Sequence, residues 1–372
     1  MTTMERNEYH HYIPKFILRN FAIENFNQNQ TKKKEESLQI YDRAKDRLGI
    51  SPIARTYGGI NMYKDLNHDD TMHVERKLAN LEEKASKVVK DIIIEASQTN
   101  GKIILLRKNL ADLCKFLFIM NYRNPYRKIQ FTNNDFDIIT RPLVERFMQE
   151  HNLNHPQEVW LQNVREILDT PHEDVQNNLK IFPIDRTDYE LRMKGCFLAI
   201  WQAGKTDEFI MTTNAFGIFE GITVTTPMGP VHKVFHWFFV ISPKVLLVLC
   251  DFGFKEGIGF DTFYGHRSIF KNVSHPQPIL ECVNNSQHES IPDSNPDDKF
   301  TFTFVKVKSA TVHLVNSILL NEATPDLQVS FLSLSYLYKT LVKYNKSIED
   351  TSTLQDFSNM KKTLFRALNR IH

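Results

Sequence analysis

The chain has 372 residues, 41% of them hydrophobic, 11% aromatic and 24% charged, which is the composition of a folded globule and not of a disordered tail. Forty-six Lys and Arg against 44 Asp and Glu leave a formal charge of +2, so a nucleic-acid or membrane surface could only be a local patch. Thirteen glycines are about half of the usual share of roughly 7%, so phosphate loops built on glycine should be scarce, while 27 phenylalanines supply apolar mass for a core.

The first residues, MTTMERNEYHHYIPK, place no apolar run behind a basic region, which argues against a secretory leader. The segment 9–21 is the most unusual stretch, with Tyr9, His10, His11, Tyr12, Ile13 and Pro14 leading to Arg19 and Phe21. On a strand, neighbouring side chains point to opposite faces, so at most one of the two histidines enters a given pocket. Histidine exchanges protons near neutrality and arginine holds phosphate, a pairing suited to metal-free phosphodiester cleavage. The plainer reading of the same residues is one core histidine and a Tyr-x-Pro bend before a short helix. Residues 27–36 (NQNQTKKKEE) read as an exposed loop before a strand at 38–41.

Apolar residues at three- and four-residue intervals predict helices over 71–98 and 105–122, the second apolar on most faces. Further helices are expected at 135–151, 157–168 and 188–203. Short β-branched and aromatic runs then predict strands at 208–212, 235–241, 245–250 and 300–308. The run 234–250 is broken by His236, Ser242, Pro243 and Lys244 and falls short of the roughly 20 residues a bilayer needs, so two buried strands around a Ser-Pro turn are expected. Residues 284–299 read as a polar loop, and helical spacing returns over 309–321, 330–344 and 358–371. The expected fold class is α+β: a predominantly helical body (about 60–205) around a small mixed or antiparallel sheet (about 206–310, with residues 9–60 packed on it) and C-terminal helices from about 309. No linker marks a boundary, so a single domain over 1–372 is expected.

Four isolated cysteines, Cys114, Cys196, Cys250 and Cys282, form no CxxC pair and read as buried thiols of a reducing, intracellular compartment, cytoplasmic or nuclear. Metal ligation has three weak candidates: His10 with His11, His68-Asp69-Asp70 with His73, and His232 with His236 at an expected turn. No HExxH supports them, and no cofactor is expected. Glu75 and Glu82 read as salt-bridging residues on a helix surface, and Arg123 and Arg127 as cations closing a helix, Arg123 following a buried face. There is no GxGxxG, P-loop or GxSxG.

The order of these motifs resembles domain-of-unknown-function family 4238, found in bacteria and fungi. HHYIPKFILRNF (10–21) resembles its HHYVPQFLLRNF-type opening; Gln39-Ile40-Tyr41-Asp42 resembles its Tyr-Asp strand, and Pro52 with Tyr57 its next stretch. Glu75 and Glu82 match its paired glutamates, and Asn121-Tyr122-Arg123-Asn124-Pro125 its "RTP" segment. Phe209 to Ala215 is similar to "FITSDNP", Phe239 to Pro243 to "PLSP", and 312–321 to an asparagine-bearing helix, for a span of about 9–320. Where the family has Ser-Asp-Asn-Pro this chain has Thr212-Thr213-Asn214-Ala215, so the acidic side chain and the proline are replaced. The resemblance adds Tyr12, Pro14, Tyr41, Glu75, Thr212 and Thr213 as site candidates without supplying roles.

The function expected first is a nuclease-like effector acting on nucleic acid. His11 or His10 would be the general base, Arg19 and Arg123 would hold phosphate, and Asn214 would orient the substrate. The alternative is a non-catalytic binding or scaffold protein in which the HHYIP motif is structural, and a further one is a small-molecule hydrolase or transferase. No membrane partner is expected, and the oligomeric state is left open.

Overall fold

A computed structural model describes residues 7–23, 35–65, 68–98, 100–226, 229–254, 262–263, 265–283, 295–322, 326–347 and 355–370. The fold is α+β, with helices and several sheets. The chain forms two units whose segments alternate along the sequence. The first comprises Met1–Pro14, Arg55–Val88 and Lys108–Gly195, and the second Lys15–Ala54, Val89–Arg107 and Cys196–His372. The parts of the expected loops at 27–34 and 284–294 lie outside the described residues.

The first unit is helical apart from one small ladder. Strand Tyr9–His11 pairs antiparallel with Gly58–Ile60, His10 opposite Gly59 and His11 opposite Gly58. Gly58 is required there: a Cβ would lie 2.4 Å from the His10 carbonyl oxygen. The helix His73–Ser97 buries Val74, Leu78, Leu81, Ala85 and Val88 at the spacing that predicts it. Helix Arg107–Tyr122 buries Phe116 to Met120 in succession, which explains why its sequence is apolar on most faces. Asn124 accepts from the Tyr126 amide at 3.0 Å and Pro125 fills the first turn, so a new helix Pro125–Thr132 starts directly. Helices Thr140–His151, Pro156–Asp169 and Pro183–Gly195 complete the unit.

The helix expected over 188–203 ends at Gly195. Cys196–Gln202 is instead a strand. Its run CFLAIW has every residue after Cys196 buried, and period alone does not separate a short continuous apolar run from a buried helix. This strand lies inside the main sheet of the second unit. The order there is Ile279–Glu281, Lys299–Lys306, Cys196–Gln202, Val245–Asp251, Gly229–Ser242, Phe216–Thr226, with Lys102–Leu106 also on Lys299–Lys306. All pairs are antiparallel except Lys299–Lys306 with Cys196–Gln202. The Ser-Pro turn joins two buried strands as expected, and Ser242 Oγ accepts from the amides of Lys244 (3.2 Å) and Val245 (3.0 Å). A second sheet carries Ala22–Ile23, Ser37–Asp42, Arg47–Pro52, Gln328–Ser330 and Met211–Thr212. Helices Ser309–Asn321, Leu334–Ser347 and Ser358–Leu368 follow the C-terminal spacing.

The main sheet is interrupted by register shifts on two of its ladders. The pairing between Gly229–Ser242 and Phe216–Thr226 slips by one residue between Val234 and His236. Such a bulge re-aims side chains, and here His232 is exposed while His236 is fully buried. Gly221 lies opposite the slip, where a Cβ would come within 2.4 Å of the Lys233 carbonyl oxygen. Gly221→Ala should therefore lower stability by about 1–3 kcal/mol, read as a shifted midpoint in chemical denaturation. Gly195→Ala, where a Cβ meets nothing within 4 Å, should stay within about 0.5 kcal/mol.

Candidate functional site

In the first unit the opening motif closes around a buried guanidinium. Arg123, 1% exposed, donates from Nε to the Tyr63 hydroxyl (2.8 Å), from Nη1 to the Glu82 carboxylate and from Nη2 to the His11 carbonyl oxygen. Glu82 can do this because Leu78 and Glu82 share a helix face, so a glutamate one turn beyond a core leucine points inward. Glu83, the next residue, pairs instead with Lys87 on the surface (3.0 Å), and Glu75 is half-buried. Burial works against the charge on Arg123, but Tyr63 and Glu82 more than offset it and hold its pKa above the ordinary value.

Both histidines of the motif are buried. His10 Nδ1 accepts from the Tyr63 amide at 3.1 Å and its ring stacks on Tyr63, which in turn stacks on Trp160. That bond assigns the His10 proton to Nε2, which lies 3.9 Å from the Glu8 carboxylate. Desolvation lowers the His10 pKa, with Glu8 working against it and Arg123 and Lys128 adding to it. His11 offers its carbonyl to Arg123 and packs its ring edge-on to Tyr9. Pro14 is buried and Tyr12 half-buried, its amide donating to the Tyr57 carbonyl at 3.0 Å.

The remaining sequence candidates belong to the second unit. Arg19 is half-exposed and pairs with Glu36 at 2.8 Å, and the neighbouring Asn20 donates to the Ile241 carbonyl at 2.8 Å. Tyr41 is buried with its hydroxyl on Asp46. Thr212 is fully buried in its strand, and Thr213 Oγ1 accepts from the Gln328 amide at 2.8 Å; Asn214 is half-buried in the turn that follows. The structure thus brings His10, His11 and Arg123 together in one unit and carries Arg19, Tyr41, Thr212, Thr213 and Asn214 in the other.

The second unit holds a cleft of about 790 Å³ at the Ser-Pro turn. Its wall includes Asn20, Gln98, Gln202, Lys205, Lys244 and Lys306, and no carboxylate residue lines it among the described residues. The segment beside it is pinned from behind. Asn316 donates to the Glu208 carbonyl (2.8 Å) and accepts from the Ile210 amide (3.1 Å), reading the backbone as a strand neighbour would. Asp207 accepts from Ser309 (2.8 Å) and Lys339 (2.9 Å) and lies 3.3 Å from His313 Nε2. Glu208 accepts from the amides of Leu332 and Ser333. Lys244 donates to the carbonyls of Gly204, Lys205 and Asp207, which fixes the turn's curvature. None of Lys205, Lys306 or Asp207 carries a local signature, so spacing does not single them out; the helix at 312–321 is marked only through its asparagine.

A third cluster lies in the main sheet. Glu220, His236 and Cys250 are cross-strand neighbours on three adjacent strands. His236 Nδ1 lies 2.8 Å from Glu220, and its Nε2 lies 2.8 Å from His275 Nε2. Of the three expected metal candidates, His232 bonds Thr223 (2.8 Å), and His73 bonds Asp65 (3.0 Å) with the His68 ring stacked on it at 3.8 Å. Among the described residues, one group of three ligand-bearing side chains converges, His236, Cys250 and His275, and of these the sequence marks His236 alone as a ligand candidate.

The family described as "Protein of unknown function (DUF4238)" matches residues 9–331. The chain belongs to this family. No curated protein and no solved structure matches the chain. No helix among the described residues is long and apolar enough to cross a membrane.

In this DUF4238 chain, Arg123→Met should cost about 3–5 kcal/mol, because Glu82 is left without its partner, while Tyr63→Phe should cost about 1–3 kcal/mol; equilibrium denaturation distinguishes them. Stability should also fall with acid. His10 is held below 6.5 and His313 at about 4, in both cases first by burial, with Lys343 next for His313. A depressed folded pKa means that the unfolded chain binds protons first, so the contribution is complete above about pH 6.5 and drains away as pH falls towards 4. A pH series of melting temperatures should show this decline, and His313→Gln should flatten it.

Proposed function

We propose that this protein is a non-catalytic binding protein that holds a small organic anion, carboxylate- or phosphate-bearing, in the cleft of its second unit, and that the HHYIP segment is a structural anchor. The observation that carries the reading is the composition of the cleft wall: three lysines and several amides, with no lining carboxylate among the described residues. Its volume lies within the roughly 300–1,000 Å³ of small-molecule sites. Lys244 is already committed to three carbonyls, so it contributes field more than contact, and Lys205 and Lys306 supply the donors at the rim. The anchor half of the proposal rests on Arg123, whose guanidinium is engaged on all three nitrogens and sealed from water. A guanidinium in that state has no open face for a phosphate.

Thermal-shift and calorimetric titration with mono- and dicarboxylates, sugar phosphates and nucleotides tests it. One of these classes should bind saturably, more weakly as salt rises, and Lys205→Glu with Lys306→Glu should weaken binding at least tenfold, about 1.4 kcal/mol, without lowering the melting temperature. No saturable ligand, or binding indifferent to the charge reversal, would overturn the reading. The competing nuclease reading makes the opposite demand: phosphodiester cleavage that His11→Ala abolishes while the fold stays intact.

A further inference from the structure

The three strands carrying Glu220, His236 and Cys250 bring these side chains together under the segment around Ser268 to His275. Every polar member is buried: His236 and Cys250 at 0% exposure, Ser268 at 1%, His275 at 6% and Glu220 at 8%. The walls are aromatic, with Trp201, Phe238, Phe254 and Phe270 rings all within 6.1 Å of the His236 ring centre. Carrying a carboxylate and two imidazoles into such a place is costly unless each is bonded.

Whether the two rings satisfy each other turns on where their protons sit. Glu220 Oε2 accepts from Ser268 Oγ (3.0 Å) and Oε1 from the Ile269 amide (3.1 Å), so the carboxylate is oriented before it meets His236. As an acceptor 2.8 Å from His236 Nδ1, it receives the Nδ1–H hydrogen bond, the tautomer that leaves Nε2 as a lone pair. His275 turns its Nε2 to the same point, and in its Nδ1-protonated tautomer that atom is a lone pair as well. Two lone pairs 2.8 Å apart repel unless an electron-pair acceptor lies between them.

We propose that His236 Nε2, His275 Nε2 and Cys250 Sγ are the three protein ligands of a site for Zn²⁺, with a fourth position for water or an exogenous donor. The three ligand atoms lie within 4.8 Å of one another. Zinc sits about 2.0–2.1 Å from nitrogen and about 2.3 Å from sulfur, which sets two tetrahedral nitrogens about 3.4 Å apart. The rings therefore need to part by roughly half an ångström. Glu220 supplies the carboxylate behind a ligating histidine that orients the ring and strengthens it as a donor. Two imidazoles and a thiol select zinc-class ions over Mg²⁺ or Ca²⁺, which take oxygen donors. On binding, Cys250 gives up its thiol proton to solvent, and both imidazoles coordinate as neutral rings.

The test uses the intact chain, stripped with EDTA and desalted, then titrated with Co²⁺ as a coloured stand-in and competed with Zn²⁺. One equivalent per chain should give the visible bands of four-coordinate Co²⁺ and a thiolate-to-metal charge-transfer band, both erased by Zn²⁺. Cys250→Ser should remove the charge-transfer band, His275→Ala should weaken affinity at least 100-fold, and Glu220→Gln should weaken it about 10–100-fold. Absence of those bands in the wild-type chain, or a charge-transfer band that survives Cys250→Ser, would overturn the proposal. The wild-type spectrum alone decides the matter should a variant not fold. A shared proton between the two rings, the competing account, predicts no Co²⁺ bands at all.

Discussion

A polar group taken out of water must find its partners inside, and the internal geometry of both units is organised by that demand. In the first unit the guanidinium of Arg123 is the extreme case. It is nearly inaccessible, yet it reaches a phenol, a carboxylate and a main-chain carbonyl from three different segments. Each partner is thereby tied to the others: the strand Tyr9–His11, the loop at Tyr63 and the helix bearing Glu82. A hydrophobic residue of similar volume would fill the space without fixing the register of the opening strand. The ion pair therefore specifies an arrangement, whatever its net contribution to stability. The same unit repeats the device at Asn163, which donates to Tyr122 and Asp185 and accepts from the Phe182 amide.

The second unit solves the problem differently, through main-chain partners. Asn316 acts as a detached peptide group for Glu208 and Ile210, and Lys244 spends its ammonium on three carbonyls of one turn. These contacts order the segment from Gly204 to Ile210, which otherwise belongs to no regular ladder until Met211. A cleft beside a segment fixed in this way can keep its shape when empty, which lowers the ordering cost that a ligand has to meet.

Much of the fold is legible in the sequence, because helix and strand periods survive where one face is wet and the other carries a regular apolar set. The helix His73–Ser97 and the strand Lys299–Lys306 follow their expected positions closely. Period is lost where both faces are dry: Val245–Asp251 stays legible through the Ser-Pro turn before it, whereas Cys196–Gln202 does not. The CFLAIW run carries no period at all, so only its neighbours in the sheet, Val245–Asp251 and Lys299–Lys306, define it as a strand. The strand Phe216–Thr226 escapes notice for the reverse reason, since its outer half is polar and half-exposed and resembles a loop.

The site residues divide along the same line. The opening motif stands out because two histidines and an arginine in one short run are rare, but rarity in sequence measures how unusual a requirement is and not whether it is chemical or architectural. Only the partners of Arg123 speak to that, and they come from positions 11, 63 and 82. The Glu220–His236–Cys250–His275 grouping shows the converse. Its members are separated by 16, 14 and 25 residues, spacings with no helical or loop-motif meaning, and a bulge at Val234 to His236 is what turns His236 inward beside Glu220 and Cys250. A one-residue slip in a ladder inverts which side chains are buried. An expectation built on sequence spacing sees His232 and His236 as a pair, whereas the folded sheet separates them and hands His236 to partners from other strands.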